Sequence, residues 1–285
     1  MEGIGPPLVT PFDEEGEVDH DRLREVVAWV EGRGVDFLVP CGSTSEGELL
    51  TDEERANVIG TVADEASVPV LAGTGHPGLR ATLEATAAAA EAGADGALVV
   101  TPHYYNHDQE TLAAYYRDLA DESPLPVYLY SVPVFADARI EPETAGALVE
   151  HPNVAGMKDS SGDLSAFVRT VDRVGDDFSV LVGTGSLLAQ ALDAGASGGI
   201  AALANLYPER LARVIDIYPD DPALAREHNR RLVEVDTAIT SEFGIPGLKW
   251  AMRERGAPAG YPRSPHTEPD RRAKDRLAAL LDELS

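Results

Sequence analysis

Eight short apolar runs recur along this chain, and their spacing limits what it can fold into. They lie near residues 5–9, 35–40, 68–72, 96–101, 126–130, 154–157, 179–182 and 198–201. Amphipathic or alanine-rich segments fill the gaps, at 19–32, 52–66, 79–92, 109–121, 141–149, 164–174 and 186–194. Strands alternating with helices predict parallel pairing through βα units. A repeat of roughly 20–33 residues suits a closed eight-stranded barrel, which typically takes about 250 residues. Periodicity also permits an open doubly wound sheet; the count of eight favours closure. After Asn205 the pattern turns helical, over 206–218, 222–242, 246–254 and 269–284. The expectation is one α/β domain, a (β/α)8 TIM barrel. Residues 1–205 form the core, and 206–285 supply the last barrel helix and a C-terminal helical extension.

Charge narrows the partners. The net charge is −26, with acidic clusters dispersed along the chain. That disfavours nucleic acid and anionic membrane surfaces. A dispersed acidic coat suits a salt-rich cytosol, where screening weakens the self-repulsion. The single cysteine, Cys41, follows Phe37-Leu38-Val39-Pro40 and reads as a small core hydrophobe in a reducing compartment. No apolar run reaches 18 residues and the first residues do not read as a signal peptide, so a cytoplasmic protein is expected.

Lysine is scarce: three residues against twenty arginines. Lys249 and Lys274 fall in helix-like C-terminal stretches that read as polar. Lys158 instead closes the apolar run Asn153-Val154-Ala155-Gly156-Met157 and precedes Asp159-Ser160-Ser161-Gly162. That pattern delivers one amine to the C-terminal edge of a buried strand, where barrel active sites lie. An arginine stays charged, whereas a desolvated lysine can become a nucleophile. A structural ion pair is the competing reading.

Other strand ends add to the set. The second run leads into Cys41-Gly42-Ser43-Thr44-Ser45-Glu46-Gly47, a turn able to hold a carboxylate or simply to precede a helix cap near Thr51. The third leads into Gly73-Thr74-Gly75-His76-Pro77-Gly78, which matches GxGxxG. It stands in the third βα unit, and Asp95 precedes the following strand, so a tight turn is favoured over a dinucleotide site. The fourth ends in Thr101-Pro102-His103-Tyr104-Tyr105-Asn106-His107. His103 and His107 lack a carboxylate at ligand spacing, and no metal is expected. The fifth ends in Tyr130, able to relay protons, and the seventh and eighth in Gly183-Thr184-Gly185 and Gly199-Ile200. A 2-keto acid fits these parts: its ketone condenses with the amine, its carboxylate enters the turn, and the iminium acts as electron sink.

These segments resemble the family of dihydrodipicolinate synthase, N-acetylneuraminate lyase and 2-keto-3-deoxygluconate aldolase. The resemblance runs through Leu8-Val9-Thr10-Pro11-Phe12, Gly42 to Glu46, Ala72 to Gly75, Thr101 to Tyr105, Tyr130-Ser131-Val132-Pro133, Gly156 to Asp159 and Ile245 to Ala251. It implies a homotetramer using no cofactor beyond a covalent Schiff base between Lys158 and pyruvate. Tyr130 would be the acid–base residue. Ser43 and Thr44 would bind the carboxylate and relay protons, with Gly183 and Ile200 lining the pocket. Tyr104 or Tyr105 would complete the relay at a subunit contact. In the synthases an arginine two residues past the proline holds the second substrate's carboxylate; here that place is Phe135, preceded by Val134, and Arg139 comes later. Gly260-Tyr261-Pro262-Arg263 resembles the archaeal-type 2-keto-3-deoxygluconate aldolases, and His107 is a candidate for a 6-phosphate. Ser45, where glycine is common, is expected to reshape the aldehyde end. The leading expectation is a class I aldolase for 2-keto-3-deoxygluconate or its 6-phosphate. The alternatives are the synthase, a sugar-acid dehydratase and a non-catalytic keto-acid-binding barrel.

Overall fold

A computed structural model describes residues 1–284. Seven strands form one parallel sheet: β1 Gly3–Gly5, β2 Leu71–Gly73, β3 Gly96–Val100, β4 Val127–Ser131, β5 Val154–Asp159, β6 Ser179–Val182 and β7 Gly198–Ile200. Their order is β1-β7-β6-β5-β4-β3-β2. The stretch 37–40 closes the ring. Val39 bridges Pro7 and Leu38 bridges Val70, both in parallel. This is the second of the eight expected strands, reduced to isolated bridges. Pro6, Pro7, Pro40 and Pro69 crowd that seam and offer no amide hydrogens, so a full ladder cannot form there. The fold is thus a TIM-barrel-like α/β ring with helices outside it.

Alternation along the strands sorts the side chains into two cores. Phe37, Val39, Leu71, Leu98, Tyr128, Tyr130, Leu181 and Ile200 fill the barrel interior. A larger apolar layer lies between the sheet and the helices α1 His20–Glu31, α2 Asp52–Glu65, α3 Leu79–Glu91 and α4 Gln109–Glu122, and their successors. Glycine makes room where the interior is crowded: a Cβ on Gly156 would stand 2.6 Å from the Tyr128 ring. Part of the acid excess works locally, since Asp19, Asp108, Asp163, Asp221 and Asp270 each accept a backbone N–H at a helix start.

A short helix, α5 Pro133–Ala136, follows β4 and was not foreseen; Pro133 at its first turn favours it. Then come α6 Pro142–Leu148, α7 Leu164–Val174, α8 Leu188–Asp193, α9 Leu203–Leu206 and α10 Pro208–Ile217. The single helix expected over 222–242 is broken into α11 Pro222–Arg230, α12 Val233–Thr237 and a π-turn Ala238–Glu242. The Thr240 hydroxyl donates to the Asp236 carbonyl at 2.6 Å, a back-bond that competes with the regular ladder there. Helices α13 Gly244–Glu254 and α14 Arg271–Glu283 complete the chain. Among the described residues no helix is long and apolar enough to cross a membrane.

Candidate active site

Register brings the two central side chains together. Tyr130 on β4 pairs with Lys158 on β5, and Lys158 pairs with Leu181 on β6. Tyr130 and Lys158 therefore face inward in one layer near the C-terminal mouth. Both are almost fully buried, at 5% exposure each. Lys158 Nζ stands 4.1 Å from the centroid of the Tyr130 ring. Among the described residues no carboxylate lies within ion-pair distance of that amine, so it is not consumed by a structural salt bridge. Asp159, its neighbour in sequence, alternates away and accepts the Ser161 N–H at 2.7 Å. Burial pushes the Asp159 carboxyl up, with the Ser161 hydrogen bonds opposing.

Tyr130 is the electrostatic centre. Burial alone would raise its pKa; the Lys158 charge and hydrogen bonds to Ser43, Ser160 and Lys158 outweigh that and hold it below the ordinary phenol value. A phenol so placed exchanges protons more readily near neutrality. The network joins strand ends far apart in sequence: Ser43 from the second stave, Tyr130 from β4, and Lys158 and Ser160 from β5. Gly183, after β6, packs on Ser160; a Cβ there would fall 1.8 Å from the Ser160 hydroxyl, so this wall must stay small. Ile200 on β7 is fully buried in the interior cluster.

Ser43 and Thr44 occupy a 3-10 turn, Ser43–Ser45, whose backbone is tightly specified. The Gly42 N–H donates to Ser45 Oγ at 3.1 Å and the Ser45 N–H to the Gly42 carbonyl at 3.1 Å. Ser45 is fully buried. This corrects the expectation that Ser45 reshapes the aldehyde end: its hydroxyl is spent on the turn's own backbone. The flanking residues Cys41 (φ 60) and Glu46 (φ 55) take left-handed backbone without being glycine. Such strain gathers at functional sites when the surroundings fix it.

The tyrosine pair behaves differently. Tyr104 and Tyr105 are 86% and 67% exposed, packed edge to face with ring centroids 5.0 Å apart. Tyr104 is strained, at φ 80. Neither joins Tyr130 within this chain. Val134 and Phe135, on α5 after β4, are exposed as well. His107 is half-buried, and His103 faces Glu48 at 3.8 Å. Among the described residues no group of three metal-ligating side chains gathers.

Sequence reasoning missed Ser160, and it misjudged Lys249. Lys249 lies on α13 yet is fully buried, its amine bound to Glu46, the Thr10 carbonyl and the Tyr261 carbonyl. Its neighbours Leu248, Ala251 and Met252 are core residues. Lysine scarcity was the available signal, and it applied to this position as much as to Lys158. Cys41 is buried as expected, and burial pushes its thiol up to about 12.

The chain matches the model of the dihydrodipicolinate synthetase family over residues 1–284. It is 35% identical over 285 residues to a 4-hydroxy-tetrahydrodipicolinate synthase of Haloarcula marismortui, covering 99% of this chain and 93% of the relative. It is 37% identical over 287 residues to an uncharacterized DapA-like lyase of Halobacterium salinarum, covering 100% and 94%. Among solved structures, the chloride-inhibited dihydrodipicolinate synthase of Acinetobacter baumannii complexed with pyruvate superposes with a TM-score of 0.95. The identity is 30%, and 99% of this chain and 98% of that one are covered.

Proposed function

The chain belongs to the dihydrodipicolinate synthetase family of pyruvate-dependent class I lyases, and we propose that within it this protein cleaves a 4-hydroxy-2-keto acid by an aldol reaction. The substrate we assign is 2-keto-3-deoxygluconate or its 6-phosphate, yielding pyruvate and glyceraldehyde or its phosphate. The observation that carries the lyase chemistry is Lys158, buried beside Tyr130 with no carboxylate partner.

The steps follow from that geometry. The free Lys158 amine adds to the C2 ketone, and loss of water gives the iminium. The substrate carboxylate sits against Ser43 and Thr44, and Gly183 and Ile200 form the small walls. Tyr130 accepts the proton of the 4-hydroxyl as the C3–C4 bond breaks, and the bonding pair flows into the iminium to give an enamine. The aldehyde leaves, C3 takes a proton, and water hydrolyses the second iminium to release pyruvate. No further cofactor enters this scheme.

The substrate assignment rests on the outer pocket. Phe135 stands where a synthase needs a cation for a second carboxylate. Arg139, just past α5, is engaged by Asp163 at 3.3 Å and Glu141 at 4.0 Å. A neutral polyol portion suits such a pocket better than a second carboxylate. The second reading is the synthase, condensing pyruvate with aspartate semialdehyde, and the names of the relatives favour it. We further assign a homotetramer working in a salt-rich cytosol, with Tyr104 or Tyr105 reaching a neighbouring copy's site and His107 near a 6-phosphate. The exposed Tyr104, Tyr105, Val134 and Phe135 support a subunit contact at this edge.

The test offers 2-keto-3-deoxygluconate and its 6-phosphate, in molar potassium chloride, beside pyruvate with aspartate semialdehyde. Pyruvate release from either sugar acid supports the aldolase. Pyruvate consumption only with the semialdehyde replaces it with the synthase.

A further inference from the structure

The C-terminal segment after α13 is tied to the turn that carries Ser43 and Thr44. Glu46 directly follows that turn in left-handed backbone, and its N–H donates to the Ser43 carbonyl at 3.1 Å. Its carboxylate points into the protein, with no exposed side-chain surface. One oxygen meets Lys249 Nζ. The other accepts the Arg263 N–H at 2.9 Å and meets His266 Nδ1 at 2.9 Å. Lys249 spends its two remaining donors on the carbonyls of Thr10 at 2.7 Å and Tyr261 at 2.8 Å. Outside this knot, Arg263 donates to the Gly16 and Leu49 carbonyls and to Glu54, and its guanidinium stacks on Phe12, 4.5 Å from the ring centroid. Residues 260–266 thus form a strap across the N-terminal segment, the 43–51 stretch and the first turn of α2.

We propose that Glu46, clamped by Lys249 and the 260–266 strap, is a positioning residue for pyruvate. It fixes the strained turn so that the Ser43 and Thr44 hydroxyls are preset for the keto-acid carboxylate. Glu46 and Lys249 touch no substrate. Their effect passes through the backbone of one turn, so it falls on pyruvate affinity and leaves the Lys158 chemistry intact. A turn released from Glu46 would lose the left-handed kink and spread its hydroxyls over several arrangements, and binding would then select the competent fraction. This inference rests on reading Ser43–Thr44 as the carboxylate turn.

The experiment measures the pyruvate concentration giving half-maximal borohydride trapping on Lys158, in the full-length chain, with thermal unfolding in parallel. Wild type is the control: no trapping there would overturn the Schiff-base reading itself, separately from this one. Glu46→Gln removes the charge but keeps the shape. The expected result is at least a tenfold rise in the half-trapping concentration, with the same adduct yield at saturation. His266→Ala removes only the outer, partly exposed contact to Glu46, so it remains informative if Glu46→Gln fails to fold. It should raise that concentration about two- to fivefold with unchanged yield. Unchanged half-trapping concentrations, whether or not the unfolding temperature falls, would overturn the proposal and leave the pair a structural anchor.

Discussion

Two buried lysines sit at opposite chemical extremes. Lys249 is surrounded: a carboxylate and two carbonyls take its three protons, and no side-chain surface is exposed. Burial lowers its pKa to about 8, with Glu46 opposing. Lys158 is nearly as buried, but its neighbour is the face of a tyrosine ring and no carboxylate is in reach. Burial does not make a lysine reactive. On the proposed reading, a satisfied buried amine is a fastener, whereas a buried amine beside a tyrosine with no carboxylate in reach is the nucleophile.

The sharpest way to break this contrast is to replace the nucleophile. Lys158→Ala and Lys158→Arg should abolish turnover and pyruvate trapping in steady-state and borohydride assays, since guanidinium stays charged. The next largest effect falls on its neighbour. Tyr130→Phe keeps the ring in the barrel but removes the proton carrier, so kcat should fall about 10²- to 10⁴-fold while near-ultraviolet circular dichroism stays native. Near-normal turnover would remove Tyr130 from that role. Lys249→Met should act on the other axis. Taking the amine away from the buried Glu46 carboxylate, which keeps only the Arg263 N–H and His266, costs about 3–5 kcal/mol of stability, measurable by urea unfolding, while saturating pyruvate still labels Lys158. The smallest effect concerns the strap's outer anchor. The Arg263 guanidinium holds the Glu54 carboxyl down at about 2, against an ordinary 4.5. Stability from that pair is complete above pH 4.5 and drains away as pH falls towards 2. Glu54→Gln should therefore flatten the acid limb of a stability–pH curve and lower stability slightly at pH 7.

The barrel was legible because its signal is periodic. Apolar runs and intervening helices repeat, and glycine, proline and aspartate mark their ends. Lys158 and Tyr130 were legible as lone chemistry-bearing residues closing apolar strands, and strand alternation then faced both inward. What stayed hidden depends on long-range packing. The second strand shrank to bridges because prolines from three segments meet at one seam. Ser160 follows β5 and reaches Tyr130 only once the ring has closed. Lys249 looked polar because a helix stretch containing one lysine, one arginine and a glutamate at its end hides the apolar face of Leu248, Ala251 and Met252. Glu46 gave no sign that its partner stands 203 residues away. Tyr104 and Tyr105 read as site residues, yet one chain leaves them facing outward.

The central claim is that one particular buried lysine does the chemistry. Wild-type protein treated with pyruvate and borohydride, then digested and mapped by mass spectrometry, tests it most directly. The account predicts one reduced pyruvate adduct per chain, on the peptide containing Lys158, with Lys249 and Lys274 unmodified. No adduct, or an adduct on Lys249, would contradict it.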